Sequence, residues 1–388
     1  MTRRTVEDLI DKDPPYRLLA LDGGGIRGMI TIEVLAEIER LLQRELGRGD
    51  DFVLADYFDY IGGTSTGAII ATGLSLGMRV DRVRRFYVEH GRSMFDKASV
   101  WRRLRYRFEG RKLTEYIQRE VGAETTLGDP RLRTLLMLVM RNASTNSPWP
   151  ISNNPRAYYN RRDRPGNPSS NLDLRLWQLV RASTAAPTYF PPEVIHVDTG
   201  TEEGGMQYVR KGFVFVDGAL TMFNNPSFQL FLMATVEPYN LRWTPGREHM
   251  LLVSVGTGRD PNVRTDLMPN DMNLLYHAGN APAALSSAAM QEQDFLCRVF
   301  GDCRHGEPLD REVGDMCGAG VVGTRKLFTY MRYNTELSRE GLDALGLHHI
   351  EPHQVRRLDS VEHMEALQEV GRAVATQVRR EHFEGFLT

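Results

Sequence analysis

The sequence predicts an α/β protein, because two units of strand, loop and helix follow one another near its start. Tyr16–Leu21 is an apolar run that ends at Asp22 and three glycines, which is typical of a buried strand that leads into a tight loop. From Met29 to Gly47, apolar residues recur with the period of a helix. Residues 57–76 repeat this order, and two such units in succession favour a parallel sheet.

The rest of the chain predicts further short strands and two loops. In the second unit, residues 57–61 are the strand, 62–67 a sharp turn and 68–76 a helix of small residues. Later strand candidates lie at residues 135–140, 213–216, 251–255 and 327–331. Residues 144–171 are rich in Asn, Pro, Ser and Arg and predict a long surface loop, and residues 202–205 predict a second one.

Three parts of the chain are expected. Residues 1–15 form an N-terminal segment, residues 16–335 one main domain with surface insertions, and residues 336–388 a C-terminal helical extension. Within the extension, residues 361–378 predict a helix that Ser360 caps.

The composition excludes several classes of protein. Forty-eight basic and fifty acidic side chains give a formal net charge of −2, so no overall field draws the chain towards a nucleic-acid polymer or an anionic membrane. No apolar run of about 18 residues occurs, and residues 1–15 lack the apolar core of a secretory signal. We therefore expect a cytoplasmic protein that meets any membrane from the aqueous side.

The three cysteines, Cys297, Cys303 and Cys317, are too few and too unevenly placed for a disulfide framework. His305 lies near Cys303, which raises the alternative of a metal site, but paired C-x-x-C spacing is missing. Ordinary thiols, with neither a metal nor a cofactor, are the expectation.

The second turn carries a candidate nucleophile. Gly63-Thr64-Ser65-Thr66-Gly67 has the pattern G-x-S-x-G between a predicted strand and a predicted helix, which is the context of a nucleophile elbow. The glycines leave room for the helix beside a strained serine, and the helix N-terminus favours developing negative charge. A glycine-rich turn without chemistry is the alternative.

The first loop is a candidate oxyanion site. It would lie at the same edge of a parallel sheet as the serine, and Gly23, Gly24 and Gly25 can present bare backbone amides to an oxyanion. Arg27 either adds positive charge, pins the loop or forms a structural salt bridge.

The same loop also satisfies a dinucleotide-binding pattern. Gly23, Gly25 and Gly28 have G-x-G-x-x-G spacing between a strand and a helix. Such a unit needs an acidic residue at the end of a second strand about 20 residues later. Asp50 and Asp51 lie near that position, but in a polar loop.

A third motif offers a base. Residues 214–216 are a β-rich run that ends at Asp217, followed by Gly218 and Ala219. A carboxylate there can activate a serine if burial raises its pKa and its position is fixed. Taken alone, Asp-Gly after a strand is also an ordinary turn.

The three motifs D-G-G-G-x-R-G, G-T-S-T-G and D-G-A resemble in this order those of the patatin-like phospholipases, and residues 16–220 carry the resemblance. It implies a three-layer α/β/α fold with a mainly parallel central sheet and a nucleophile elbow. It also implies that Ser65 is the nucleophile, Asp217 its dyad partner and the first loop the oxyanion site. Members of the family cleave acyl esters of phospholipids through an acyl-serine intermediate, without a metal and without a catalytic histidine.

Shorter stretches extend the resemblance. Residues 182–191, 224–226 and 255–258 are similar to family segments around the catalytic aspartate and beyond it. Residues 328–334, Phe-Thr-Tyr-Met-Arg-Tyr-Asn, resemble bacterial members that are cyclic-nucleotide-activated antiphage effectors. A phospholipid substrate at a membrane surface and a cyclic dinucleotide activator are therefore the implied partners, in antiviral defence.

One departure and one alternative concern the base. Ala219 stands where many relatives have a second glycine, and it is small enough to leave the backbone accessible. A Ser–Asp–His triad would instead need a histidine after the acid, for which His249, His277 and His305 are candidates without a distinctive motif.

Two basic segments are candidates for lipid or activator contact. Residues 101–108 place one Trp, one Leu and one Phe on the same helical face among arginines, and this face either lies on a membrane or packs inwards. Arg156, Arg161, Arg162 and Arg164 lie near two tyrosines, a composition that suits a cyclic dinucleotide and also an ordinary solvated loop. A homo-oligomer could place such a site at a subunit interface.

A hypothesis from a different class is a nucleotide-binding sensor module. It would use the glycine-rich loop for phosphate and have no hydrolytic role. Covalent labelling of the serine distinguishes it from a hydrolase.

Overall fold

The computed structural model describes residues 4–95, 106–163, 169–187, 189–201, 207–261 and 267–388. Within these ranges nine strands form one sheet. The strands are β1 (Tyr16–Leu21), β2 (Tyr60–Thr64), β3 (Leu135–Asn142), β4 (Ser147–Ser152), β5 (Glu193–Thr201), β6 (Gln207–Asp217), β7 (Met250–Val255), β8 (Gly301–His305) and β9 (Phe328–Tyr333).

Helices precede, connect and follow these strands. The α-helices of the described residues are α1 (Glu7–Ile10), α2 (Gly28–Glu45), α3 (Thr66–Ser75), α4 (Val80–Phe95), α5 (Tyr106–Val121), α6 (Leu176–Ser183), α7 (Ser227–Thr235), α8 (Leu274–Phe300), α9 (Arg339–Ala344), α10 (Pro352–Val355) and α11 (Met364–Ala375).

The sheet is mainly parallel. Its order is β5, β6, β3, β2, β1, β7, β9 and β8, and β4 pairs with β3 outside this path. The six strands from β3 to β8 in this order run parallel, whereas β4 and β6 run antiparallel to β3. Leu21 at the end of β1 lies opposite Gly63 of β2, so the loops after these two strands leave the sheet at the same edge.

Buried side chains cover both faces of the sheet. Leu19 and Leu21 of β1 belong to the cluster that packs against α2 and α3, whereas Leu18 and Ala20 belong to the cluster on the opposite face, which includes side chains of α7. This alternation follows from the two-residue period of a strand. The two helical layers around the sheet confirm the predicted three-layer α/β/α fold.

Several predicted elements are confirmed and others were missed. The strand at residues 16–21 is found with its predicted bounds, and strands are found at the five other predicted places. The prediction of a long surface loop over residues 144–171 is wrong for residues 147–152, which form β4 and pair along β3. Asn153, Asn154 and Asn160 of the same stretch are buried, and their amides bond backbone groups. The strands β5 and β8 were not predicted.

The C-terminal residues pack on the sheet's helical layer. Within this part, α11 lies against α2, and Leu367, Val370 and Val374 are fully buried in the same cluster as the sheet residues. The predicted cap is wrong in detail, because the Ser360 side chain makes no capping hydrogen bond and the helix begins at Met364 after a short 3₁₀ turn.

Among the described helices, none combines the length and the apolar character that crossing a membrane requires. The predicted membrane face at residues 101–108 cannot be compared with the structure, because residues 101–105 and the side chains of the next three lie outside the described residues. The same holds for Arg164 and for the loop predicted at residues 202–205.

Candidate active site

Ser65 occupies a sharp turn between β2 and α3. Its backbone has φ 54° and ψ −120°, a region that costs a residue with a side chain about 1–3 kcal/mol. The turn is possible because the residues two positions before and two positions after Ser65 are glycines, which have no side chain. A Cβ atom on Gly63 would lie 2.1 Å from the carbonyl oxygen of Gly67, and one on Gly67 would lie 2.3 Å from that of Leu21. The turn has the geometry that the G-x-S-x-G pattern predicts.

The Ser65 hydroxyl is hydrogen-bonded to the predicted base. Ser65 Oγ donates to Asp217 Oδ2 at 2.7 Å, and the Ala219 amide donates to Asp217 Oδ1 at 2.8 Å. Both side chains of the serine–aspartate pair are buried. The second contact fixes the carboxylate, so that one oxygen faces the hydroxyl. Ala219 therefore supplies a positioning amide, which its methyl group does not obstruct.

Burial raises the pKa of the Asp217 carboxyl. Desolvation raises the pKa of its carboxyl to about 6, against the opposing effects of the Ala219 and Ser65 hydrogen bonds and of the Arg181 charge. A carboxylate with this pKa is ionised at pH 7 and is a stronger proton acceptor than an exposed aspartate. The arrangement can transfer the hydroxyl proton to the carboxylate.

Two neighbours hold the serine turn in place. The Ser65 amide donates to Ser183 Oγ at 2.9 Å, and Ser183 Oγ in turn donates to the Val139 carbonyl at 2.5 Å. Thr64 Oγ1 donates to the Phe223 carbonyl at 2.6 Å, which attaches the turn to the chain beyond the aspartate. Sequence reasoning placed Ser183 in a family-like stretch but gave it no role.

The glycine loop lies directly beside the serine. A Cβ atom on Gly23 would lie 3.1 Å from Ser65 Cβ and 2.2 Å from Asn224 Oδ1, so a side chain there would displace Asn224 and crowd the serine. The Gly23 amide already donates to the Asn224 carbonyl at 3.1 Å. By contrast, the amides of Gly24 and Gly25 donate to no other described residue. Of the three amides that were predicted to be free, those of Gly24 and Gly25 therefore remain available.

Arg27 connects the loop to the C-terminal residues. Its guanidinium is buried and donates to the Arg356 carbonyl at 3.1 Å, and burial lowers its pKa to about 10. The neighbouring Ile26 amide donates to the Leu358 carbonyl at 3.0 Å. Of the alternatives for Arg27, anchoring of the loop to the C-terminal residues agrees with this geometry.

A buried ion pair supports the start of the loop. Arg332 Nη1 and Nη2 donate to the two Asp22 oxygens at 2.8 and 2.5 Å, and Nη1 also donates to Ser254 Oγ at 2.6 Å. Both charged side chains are almost completely buried. Asn334 Oδ1 accepts from the Gly258 amide at 2.9 Å. Sequence reasoning noted the segment that holds Arg332 and Asn334 but did not foresee these contacts.

Comparison with known proteins identifies the family. The sequence model for patatin-like phospholipases matches residues 19–230, which is more than half of the chain and includes both motif loops and Asp217. The chain belongs to the patatin-like phospholipase family.

Curated relatives of this family member come from bacteria and plants. It is 31% identical over 269 residues to a cGAMP-activated phospholipase of Escherichia coli, covering 67% of each chain. It is 34% identical over 225 residues to a cGAMP-activated phospholipase of Vibrio cholerae, covering 55% of this chain and 56% of that one. Patatin-17 of Solanum cardiophyllum is 31% identical, with 62% and 60% covered. The chain thus spans between just over half and two thirds of these relatives' lengths.

The alternatives from the sequence lack the geometry that they need. In this patatin-like chain, Asp50 and Asp51 are exposed between α2 and β2 and do not end a strand, as a dinucleotide-binding unit requires. Among the described residues, no histidine hydrogen-bonds Ser65 or Asp217. His249 lies at the start of β7, at the opposite edge of the sheet, since its carbonyl accepts from the Tyr16 amide.

Three arginines of the basic cluster lie in the described part of the chain, and each of them is charge-paired. Arg156 donates to Asp11 at 2.6 Å, Arg161 to Asp163 at 2.8 and 3.1 Å, and Arg162 contacts Asp173. These are exposed pairs of small energetic value, and a phosphate would have to displace their carboxylates. The three described arginines therefore form no ready-made phosphate site.

We expect Arg332→Met to lower the free energy of unfolding by about 3–5 kcal/mol, because it leaves the Asp22 carboxylate buried without a partner. Chemical denaturation measures the loss. The double variant Asp22→Asn with Arg332→Met removes the unpaired charge and should be more stable than Arg332→Met alone. Arg40→Met, which breaks an exposed pair with Glu37, is the control and should cost less than about 1 kcal/mol. A similar loss in both single variants would contradict the role of the buried pair.

We expect Ser65→Gly to be more stable than Ser65→Ala by about 1 kcal/mol, because only glycine adopts the Ser65 backbone conformation without strain. Both variants lose the same hydrogen bond to Asp217, so the difference isolates the backbone. Thermal and denaturant unfolding of the pair measure it. Equal stability would mean that the turn is unstrained.

Proposed function

We propose that this chain is a lipid acyl hydrolase that cleaves fatty acyl esters of membrane phospholipids, with Ser65 as nucleophile and Asp217 as base. The observation that carries the proposal is the 2.7 Å hydrogen bond from Ser65 Oγ to Asp217 Oδ2. Membership of the patatin-like phospholipase family gives the substrate class.

The proposed reaction has two acyl transfers. Asp217 accepts the hydroxyl proton as Ser65 Oγ attacks the ester carbonyl, and the carbonyl oxygen becomes an oxyanion. Collapse of this intermediate breaks the ester bond, and the proton from Asp217 goes to the departing alcohol oxygen. Water then gives a proton to Asp217 and attacks the acyl-serine, and Ser65 leaves with that proton while the fatty acid is released.

The oxyanion is proposed to lie between the glycine loop and the serine turn. The Gly24 and Gly25 amides are the donors that the loop offers, because the Gly23 amide is engaged by Asn224. The first amides of α3 add further positive potential, since a helix N-terminus has amides without intrahelical partners. One such donor is typically worth a factor on the order of 10²–10³ in kcat.

Activation by a cyclic dinucleotide is proposed as the regulation of this activity, in a defence against phage. Its support is that two relatives, at 31% and 34% identity, are each named a cGAMP-activated phospholipase. Contact with the membrane from the aqueous side is proposed with it. We therefore expect this chain to act on membranes only when the nucleotide is present.

Fluorophosphonate labelling tests the activity and its regulation together. The purified protein is treated with the probe with and without a panel of cyclic dinucleotides, and the adduct is located by peptide mass spectrometry. We expect labelling at Ser65 that depends on one nucleotide. Ser65→Ala and Asp217→Asn should lose acyl transfer by a factor on the order of 10⁴–10⁶, whereas single histidine variants retain most of it.

The opposite results are equally clear. A histidine variant as inactive as Ser65→Ala would favour a triad. If folded protein is not labelled under any condition, the proposal is wrong and the nucleotide-binding sensor without hydrolysis becomes the better hypothesis.

The pH profile tests the identity of the base. Because Asp217 has to be deprotonated and its pKa is raised to about 6, kcat/KM should rise about tenfold per unit below pH 6 and level off above it. The Arg181 charge lowers the pKa of Asp217, so Arg181→Gln should move the rising limb to higher pH. If the rising limb stays at the same pH in folded Arg181→Gln, the limb reports the titration of another group.

A further inference from the structure

Two of the three cysteines meet at the edge of the sheet. Cys303 lies in β8, the last strand in the sheet order, and Cys317 lies in the segment between β8 and β9. Their sulfur atoms are 3.9 Å apart, and both side chains are free thiols. Sulfur atoms in contact are the starting geometry for a disulfide bond, in which the sulfurs are about 2 Å apart.

The protein holds Cys317 in this position. The Cys317 amide donates to Asp315 Oδ1 at 2.9 Å, and the Asp315 carbonyl accepts from Arg298 Nη1 at 2.8 Å. Met316, between Asp315 and Cys317, has φ 53°, in the left-handed region that a residue with a side chain adopts only where its surroundings fix it. The fold itself therefore places the two sulfurs together.

A buried arginine anchors both ends of the segment from Glu307 to Asp315. Arg298 of α8 is 1% exposed, and its Nη1 donates to the Glu307 carbonyl at 2.7 Å as well as to that of Asp315. Its other two nitrogens donate to the two oxygens of Asp294, one turn earlier, at 2.9 and 2.8 Å. Because the guanidinium is fixed on α8, the residues that it bonds keep Cys317 next to β8.

The three thiols differ in access. Cys317 is exposed, whereas Cys303 is 3% exposed and its sulfur contacts the His305 carbonyl at 3.6 Å. Cys297 is fully buried on α8, where its thiol donates to Ser227 Oγ at 3.3 Å. In the folded protein a dissolved oxidant can therefore reach Cys317 first and Cys303 only through Cys317, while Cys297 is shielded.

We propose that Cys303 and Cys317 form a reversible disulfide bond when a small dissolved disulfide, glutathione disulfide, oxidises them. The Cys317 thiolate attacks one sulfur of glutathione disulfide and releases one glutathione thiolate. The Cys303 thiolate then attacks Cys317 Sγ, breaks its bond to the second glutathione and releases that glutathione as a thiolate. Two electrons pass to glutathione, and its two thiolates take up the two cysteine protons. This chemistry is independent of the proposed hydrolysis.

The bond would connect the segment after β8 to the sheet. Burial raises the pKa of both thiols, so both are mostly protonated at neutral pH and the exchange is slow. Once formed, the bond closes a loop of about 15 residues, which constrains the unfolded chain. We therefore expect the ratio of folded to unfolded molecules to be higher in the oxidised protein by a factor on the order of 10².

Peptide mass spectrometry after glutathione treatment tests the pair. The intact protein is incubated with glutathione disulfide, its remaining free thiols are blocked with iodoacetamide, and the digest is analysed with and without reduction. We expect one pair of peptides joined through Cys303 and Cys317, with Cys297 recovered as a free thiol. Dithiothreitol should reverse the bond, and urea denaturation of the two forms measures the gain in stability.

Two variants identify the order of attack. Cys303→Ser removes the thiol that completes the bond, so Cys317 should keep the first glutathione that it takes up. Cys317→Ser removes the accessible thiol, so Cys303 should remain unmodified. Cys297→Ala leaves the pair intact and is the control, in which the bond should form as in the native protein.

Three results would overturn the pair. The first is folded protein that gives no joined peptides in excess glutathione disulfide. The second is a bond that forms only in urea, and the third is modification of Cys297 as readily as of Cys317, because in either case the fold does not select the pair. If a serine variant fails to fold, the joined peptides of the native protein still decide. None of these results depends on Ser65 labelling.

Discussion

One edge of β3 determines where the candidate site forms. β4 occupies one edge of this strand, so β2 and β6 share the other, with β2 ending at Thr64 opposite Val139 and β6 ending at Asp217 opposite Met140. Consecutive positions of β3 thus bring together two strand ends that are 152 residues apart in the chain. The hydrogen bond between Ser65 and Asp217 depends on this register, because a slip of one residue turns every side chain of a strand to the other face.

The glycine loop depends on a second constraint, which is electrostatic. Parallel pairing delivers the loop to the edge where the serine lies, but pairing ends at Leu21 and leaves the position of Asp22 to other contacts. The Asp22 amide donates to the Val255 carbonyl of β7, and its carboxylate is held by Arg332 of β9, two strands away from β1 in the sheet. Burying such a pair contributes little net stability, although breaking it is costly. Its value here is positional, since it holds the strand end from which the two free amides start.

Local motifs were readable from the sequence, whereas most of the contacts that fix them were not. Ser65 and Asp217 could be chosen because each lies in a pattern of a few residues and because the three motifs together resemble those of the family. The engagement of the Gly23 amide by Asn224 could not be foreseen, because it depends on a contact across some 200 residues. The strand β4 was missed for a related reason. Its prolines and polar residues favour a loop locally, and pairing with β3 overrides that preference.

The long helix α8 joins the parts of the site that the motifs leave separate. Ser286 donates to the Ala219 carbonyl, Met290 accepts from Asn224, which bonds Gly23, and Asp294 accepts from Tyr330 of β9 at 2.9 Å. The segment after Asp217, the glycine loop and the strand that carries the buried arginine are therefore contacted by successive turns of one element. Because helices move as nearly rigid units, a displacement of α8 would alter the segment after Asp217 and the support of the glycine loop together.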